Sequence, residues 1–141
     1  MWSISQTTAF EAAHRLMRNL SKCSNIHGHN YKIETIISYY ELDKKDMIID
    51  FYVVKNILDN IIENFDHAIL LNQEDTYWIN IMKANSMKLY IMDSEPTAEC
   101  IALLFAKTIH YKLPLSAIST KVTVYETDNC KASYEHRPQK I

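Results

Sequence analysis

Residues 27–42, His27-Gly28-His29-Asn30-Tyr31-Lys32-Ile33-Glu34-Thr35-Ile36-Ile37-Ser38-Tyr39-Tyr40-Glu41-Leu42, decide the fold. Tyr31, Ile33, Thr35, Ile37 and Tyr39 recur at every second position, and β-branched and aromatic side chains dominate. A period of two with that composition predicts a strand, with Ile36, Tyr40 and Leu42 on its other face. Upstream, Trp2, Ile4, Gln6, Thr8, Phe10, Ala12 and His14 share one side of a second alternating run. The polar stretch 19–26 between the two reads as a loop. Downstream, Glu41–Asp46 is a charged turn, and Asp50 is placed to cap a helix over Phe51–Phe65 with Val54, Leu58, Ile61 and Ile62 as its apolar stripe. Ser94-Glu95-Pro96-Thr97-Ala98-Glu99 starts another helix, with Pro near its first position and an acid in its first turn. It should run to about Lys112 and bury Ile101, Leu104, Phe105 and Ile109. Ser119–Glu126 alternates again, and Asp128-Asn129 turns the chain into a last strand over Lys131–His136. The segment Gln73–Glu95 reads less regularly: a short helix from Asp75 to Met82, then a short strand over Lys88–Met92. The order predicts an α+β fold built on an antiparallel sheet.

Composition bounds the function. At 141 residues the chain has the length of one domain, spanning 1–141. Hydrophobic residues make up 48% and charged residues 23%, enough for a real core. A formal net charge of −2 argues against a protein that binds nucleic acid through bulk positive charge. Three scattered cysteines argue against a disulfide framework and for a reducing compartment. Neither a signal peptide nor a membrane-spanning run stands out, so a cytoplasmic protein with no membrane partner is expected. Glycine occurs once, where average usage of ~7% would supply roughly ten, and that one glycine, Gly28, separates two histidines.

His27 and His29 project from one face of a strand, with Cα atoms roughly 6.6 Å apart. If the first two strands pair antiparallel, His14 falls beside them. Three histidines with an open fourth position is the donor pattern of a catalytic zinc site; structural sites are closed by four ligands and rich in Cys. Cys23 lies in the connecting loop near Lys22, Arg15 and Arg18. There it reads either as a small buried hydrophobe, like Cys100 and Cys130, or as an activated thiol. Asp66-His67 reads either as a surface dipeptide or as a proton-handling pair. Glu126 shares a face with Val122 and Val124. It is an exposed strand end or a ligand anchor, since a carboxylate accepts two side-by-side hydrogen bonds of the kind a pterin or guanine edge donates.

Phe10-Glu11-Ala12-Ala13-His14, Lys22-Cys23-x3-His27-Gly28-His29-Asn30-Tyr31, Met47-Ile48-Ile49-Asp50-Phe51, Phe65-Asp66-His67, Pro96-Thr97-Ala98-Glu99 and Val124-Tyr125-Glu126-Thr127 occur in this order. Taken together they resemble the 6-pyruvoyltetrahydropterin synthase / 6-carboxytetrahydropterin synthase family from about Phe10 to Tyr134. The resemblance implies the tunnelling fold: a four-stranded antiparallel sheet with helices on one face, closing into a barrel as a homotrimer and often forming a homohexamer. It implies Zn2+ on His14, His27 and His29, Cys23 as the catalytic thiol, and Asp66 and His67 as the proton relay. It further implies that Glu126 anchors the pterin, with Thr97 and Glu99 near the pocket.

The family's substrate is a reduced pterin triphosphate, 7,8-dihydroneopterin triphosphate, and Arg15, Arg18 and Lys22 are the cations suggested for its phosphates. The carboxy branch makes 6-carboxytetrahydropterin, with acetaldehyde and triphosphate released, for 7-deazaguanine (queuosine-type) synthesis. The pyruvoyl branch stops at triphosphate elimination. Three residues between Cys23 and His27 resemble the bacterial carboxy type, whereas Val124–Asn129 resembles the pyruvoyl type; the spacer weighs more, because it sets the thiol against the metal. Cys23 argues against the branch that carries Glu in its place. A non-catalytic pterin-binding protein on the same fold is the alternative outside enzymology. Asp46 and Cys100 stand where the family usually has Gly and Asn, and Gln73–Glu95 is longer than in compact carboxy-type members.

Overall fold

A computed structural model describes residues 1–138. The elements are β1 (Trp2–His14), β2 (His27–Tyr39), α1 (Phe51–Phe65), β3 (Ala68–Asn72), α2 (Thr76–Ala84), β4 (Leu89–Met92), α3 (Ala98–Lys112), β5 (Ser119–Tyr125) and β6 (Lys131–His136), with a 3-10 turn at Lys22–Ser24. Six strands form one sheet in the order β4-β3-β1-β2-β5-β6. β1, β2, β5 and β6 pair antiparallel in succession, whereas β3 pairs parallel with both β1 and β4.

The expected sheet of four antiparallel strands is therefore corrected to a mixed sheet of six. The added pair begins with Ala68-Ile69-Leu70-Leu71-Asn72, in which every residue is buried. A strand covered on both faces loses the period-two signature, so β3 does not announce itself in the sequence. Helices on one face only is a second expectation that needs correcting. The main core lies between one sheet face and α1 and α3, where Phe10, Tyr31, Phe65, Leu70 and Phe105 meet. Ile69 and Leu71 point the other way and pack with Ile79 of α2, Trp78 and Met82. α2 thus covers the opposite face at the β3–β4 end.

Local chemistry explains the helix boundaries. The Asp50 carboxylate accepts the Tyr52 N–H at 2.8 Å and caps α1, which buries Val54, Leu58, Ile61 and Phe65. The cap of α3 is Thr97, whose Oγ1 accepts the Cys100 N–H at 3.2 Å, so Pro96 precedes the helix rather than opening it. In the core, Phe10 stacks on Tyr31 at 5.0 Å between centroids, and Phe65 meets Phe105 at 4.9 Å. Such pairs add about 0.5–1.5 kcal/mol each beyond their buried area. This cluster lies directly behind the inner end of β1 and β2, where His14, His27 and His29 emerge. No helix among the described residues is long and apolar enough to cross a membrane.

Candidate functional site

The β1–β2 register makes His14 and His27 Cα partners and sets His29 opposite Ala12, two positions along. One potential ligand atom from each of the three histidines lies within 4.8 Å of the other two. His14 is buried at 1% exposure, while His27 and His29 are half-buried. His14 Nδ1 donates to the Pro96 carbonyl at 2.7 Å, and His27 Nδ1 donates to the Asn25 carbonyl at 2.8 Å. A carbonyl only accepts, so both Nδ1 atoms carry the proton and both Nε2 atoms present bare lone pairs. Those two Nε2 atoms face each other at 3.1 Å. His29 Nε2 is buried with no hydrogen-bond partner.

Nitrogen lone pairs that converge in this way repel unless a proton or a metal ion sits between them. Tetrahedral zinc with Zn–N bonds of ~2.0–2.1 Å holds its ligand nitrogens roughly 3.3 Å apart, so the residues fit such an ion. Burial lowers the His14 pKa from 6.5 to about 4, against the opposing pull of the Pro96 carbonyl. His14 is therefore neutral at pH 7, the form a metal requires. The two carbonyls fix imidazole orientation from behind, as outer-shell acceptors do in metal sites.

Tyr31 packs edge-on against His14 and His29, with ring centroids 5.7 and 5.4 Å away. Burial and then the nearby Glu126 carboxylate push its phenol pKa up, and its hydroxyl has no partner. Glu126 follows the last residue of β5, half-buried, with Oε1 3.8 Å from His14 Nε2. That is beyond hydrogen-bond range, and no side chain among the described residues donates to this carboxylate. It borders a concavity of about 380 Å³ with Asn30, Lys32, Tyr125, Thr127 and Asp128.

The remaining residues singled out by sequence are placed differently. Cys23 sits half-buried in the 3-10 turn, its N–H donating to Ser21 Oγ at 3.2 Å and its carbonyl accepting the Leu16 N–H at 2.9 Å. It does not join the histidine cluster. Asp66 and His67 leave α1 for β3. There His67 adopts φ 59° and its N–H donates to the Glu11 carbonyl at 2.6 Å. Asp66 accepts the Glu11 N–H at 3.0 Å and His67 Nδ1–H at 2.9 Å, and these two donors, in that order, lower its pKa.

The His67 side chain is 77% exposed. It borders an open concavity of about 420 Å³ with Glu11, Ala12, Ala13, Gly28, His29 and Asn30. Among the described residues, the Asp66–His67 pair makes no hydrogen bond with the histidine cluster. Thr97 serves as the α3 cap, and Glu99 is exposed in that helix's first turn.

Two of the three suggested phosphate cations have carboxylate partners within the chain. Arg15 Nη1 donates to Asp75 at 2.6 Å, and Arg18 pairs with Glu74, so both guanidiniums are already matched by carboxylates. Sequence reasoning missed Asp75, Pro96 and Asn25 as parts of the site. Asp75 reads as a helix cap. The other two act through backbone carbonyls, which have no letter in a sequence.

Comparison with known proteins agrees with the geometry. The family described as 6-pyruvoyl tetrahydropterin synthase matches residues 3–137. A protein of Aquifex aeolicus named 6-carboxy-5,6,7,8-tetrahydropterin synthase is 31% identical, covering 95% of this chain and 98% of its own. A protein of Rickettsia conorii with the same name is 38% identical over 86% of this chain and 91% of its own. Among solved structures, 6-pyruvoyl tetrahydropterin synthase of Plasmodium vivax superposes with a TM-score of 0.76 at 16% identity, covering 98% of this chain and 100% of that one. The Caenorhabditis elegans enzyme gives 0.69 at 22% identity, covering 96% of this chain and 95% of its own. At those identities the structures speak for the fold alone.

Proposed function

The chain belongs to the 6-pyruvoyl tetrahydropterin synthase family, and on that footing we propose that it is a zinc-dependent lyase of the carboxy type. The proposed substrate is 7,8-dihydroneopterin triphosphate, and the products are 6-carboxy-5,6,7,8-tetrahydropterin, acetaldehyde and triphosphate, feeding 7-deazaguanine synthesis. One observation supports the metal-dependent reading most strongly: His14 and His27 have both Nδ1 protons committed to carbonyls and both Nε2 lone pairs converging at 3.1 Å. A binding protein has no need of that arrangement. The relatives named as 6-carboxytetrahydropterin synthases support the carboxy product.

In this reading, His14, His27 and His29 would hold Zn2+, which would supply the Lewis acidity that acidifies protons near the substrate side-chain hydroxyls. Glu126, free of protein donors, takes the paired N–H groups of the pterin edge and sets the ring's register. Cys23 moves a proton at the substrate side chain. Asp66 stays ionised and holds His67 Nδ1–H, which leaves His67 Nε2 free to accept or return a proton. Thr97 and Glu99 contribute through the start of α3, which also places the Pro96 carbonyl behind His14.

Since the Asp66–His67 pair makes no hydrogen bond with the histidine cluster of its own chain, a complete site in this reading draws on two copies of the chain. The outer edge of β1 supports assembly. β3 pairs with it only over Ala12–His14, which leaves the rest of that edge open beside the exposed Trp2. Closing a trimeric barrel removes such edges.

The test is incubation of zinc-loaded protein with 7,8-dihydroneopterin triphosphate, with products identified by mass spectrometry. Acetaldehyde with 6-carboxytetrahydropterin is the expected result. The pyruvoyl product would move the protein to the other branch with the same site residues, and intact substrate would overturn the proposed activity.

A further inference from the structure

The segment 73–95 has no part in the reaction as described, yet its ends meet the loop that carries Cys23. β3 and β4 deliver the two ends side by side, with the Gln73 N–H donating to the Met92 carbonyl at 2.8 Å. Asn72 ties them further: its Nδ2 donates to Glu95 Oε1 at 3.1 Å, and its Oδ1 accepts the Glu74 N–H at 3.0 Å. Arg18 pairs with Glu74 and lies 4.0 Å from Glu95.

Arg15 makes the connection to the loop. Its Nε donates to the Ser24 carbonyl at 2.8 Å, and its Nη1 donates to Asp75 Oδ2 at 2.6 Å. The face of the same guanidinium lies 5.9 Å from the Trp78 ring of α2. Asp75 is 6% exposed and Arg15 15%, so the pair is shielded from water. Asp75 occupies the N-cap position of α2 but makes no side-chain cap hydrogen bond. The carboxylate forgoes the stabilising cap for Arg15.

Ser24 adjoins Cys23, and the Leu16 N–H, next to Arg15, holds the Cys23 carbonyl. Two successive backbone carbonyls, those of Cys23 and Ser24, are thus held by donors at residues 16 and 15. Only a planar guanidinium serves a carbonyl through Nε and a carboxylate through Nη1 at once.

We propose that segment 73–95 is a clamp on the Cys23 loop, with Arg15 and Asp75 as positioning residues that fix where the thiol stands. The catalytic consequence rests on the reading of Cys23 as the reacting thiol; the clamp itself does not.

The test compares wild type with Asp75→Asn and Arg15→Lys, all zinc-loaded. Asp75→Asn preserves shape and removes the charge, so it remains informative if the Arg15 variant folds poorly. Iodoacetamide alkylation is followed site by site by mass spectrometry, with exposed Cys130 as internal reference. The expected result is a Cys23 rate raised about fivefold or more relative to Cys130, with zinc content unchanged. With the pterin substrate, kcat should fall at least tenfold while KM moves less than twofold, because the proposed anchor Glu126 sits on a different element. An unchanged Cys23 rate in both variants overturns the clamp. A raised KM with kcat and the Cys23 rate both unchanged also overturns it and makes Arg15 a phosphate ligand. Faster alkylation with kcat intact supports the clamp and refutes the catalytic thiol.

Discussion

Acid should destabilise the metal-free protein through His14, and the size of the effect follows from its burial. The pKa of His14 is lowered from 6.5 to about 4 in the folded chain. Between those values the unfolded chain binds the proton and the folded one does not. Falling pH therefore favours unfolding at 1.36 kcal/mol per unit across that window. Over about 2.5 units the loss approaches roughly 3 kcal/mol, a large share of a typical stability of 5–15 kcal/mol. Above pH 6.5 this group contributes no slope, and below pH 4 the loss is complete. The assay is urea denaturation followed by circular dichroism at pH 7, 6, 5 and 4, comparing metal-free wild type with His14→Gln. The variant lacks the titrating group, so the wild-type curve should fall more steeply by about 3 kcal/mol in total. Curves that stay parallel within about 1 kcal/mol would refute the claim that His14 is held neutral by burial. At pH 7, zinc at one hundred times its Kd should add about 2.7 kcal/mol to wild type and much less to the variant.

Cys23→Ala should abolish turnover while zinc content stays at wild-type level; retained turnover removes the thiol from the mechanism. Glu126→Ala should raise KM for the pterin at least tenfold through loss of a paired, charge-assisted hydrogen bond, and steady-state kinetics with an unchanged KM would exclude the anchor role. Chains carrying Cys23→Ala and chains carrying His67→Ala, inactive alone, should regain turnover when co-assembled; failure to complement would place both groups in a site built by one chain. Asp46 adopts φ 59°, a left-handed conformation that glycine enters without Cβ strain. Asp46→Gly should therefore stabilise the protein by up to about 1 kcal/mol, a rise of about 3 °C in thermal denaturation, and a lower Tm would contradict that account.

β1, β2, α1, α3, β5 and β6 were legible in the sequence because each has one buried and one wetter side, and amphipathic periodicity records that asymmetry. The convergence of His14, His27 and His29 was legible for a related reason. Antiparallel pairing around one loop converts sequence positions into spatial neighbours, and the period of two puts all three on one face. β3 was not legible, since its five buried residues have no polar side to mark a period. Nor was the partnership of Arg15 with Asp75, sixty positions apart, because the parallel β1–β3 pairing that joins them leaves no local trace.

What the sequence by itself determined is the set of donor side chains and the strands that present them. Tertiary structure alone decided how those donors are used. The Pro96 and Asn25 carbonyls select the tautomers of His14 and His27, which no side-chain letter encodes. Asp66 and His67 are tied to the Glu11 backbone rather than to the histidine cluster. Asp75 turns away from its helix towards Arg15, because a shielded ion pair outweighs a local cap once the fold brings the guanidinium within reach.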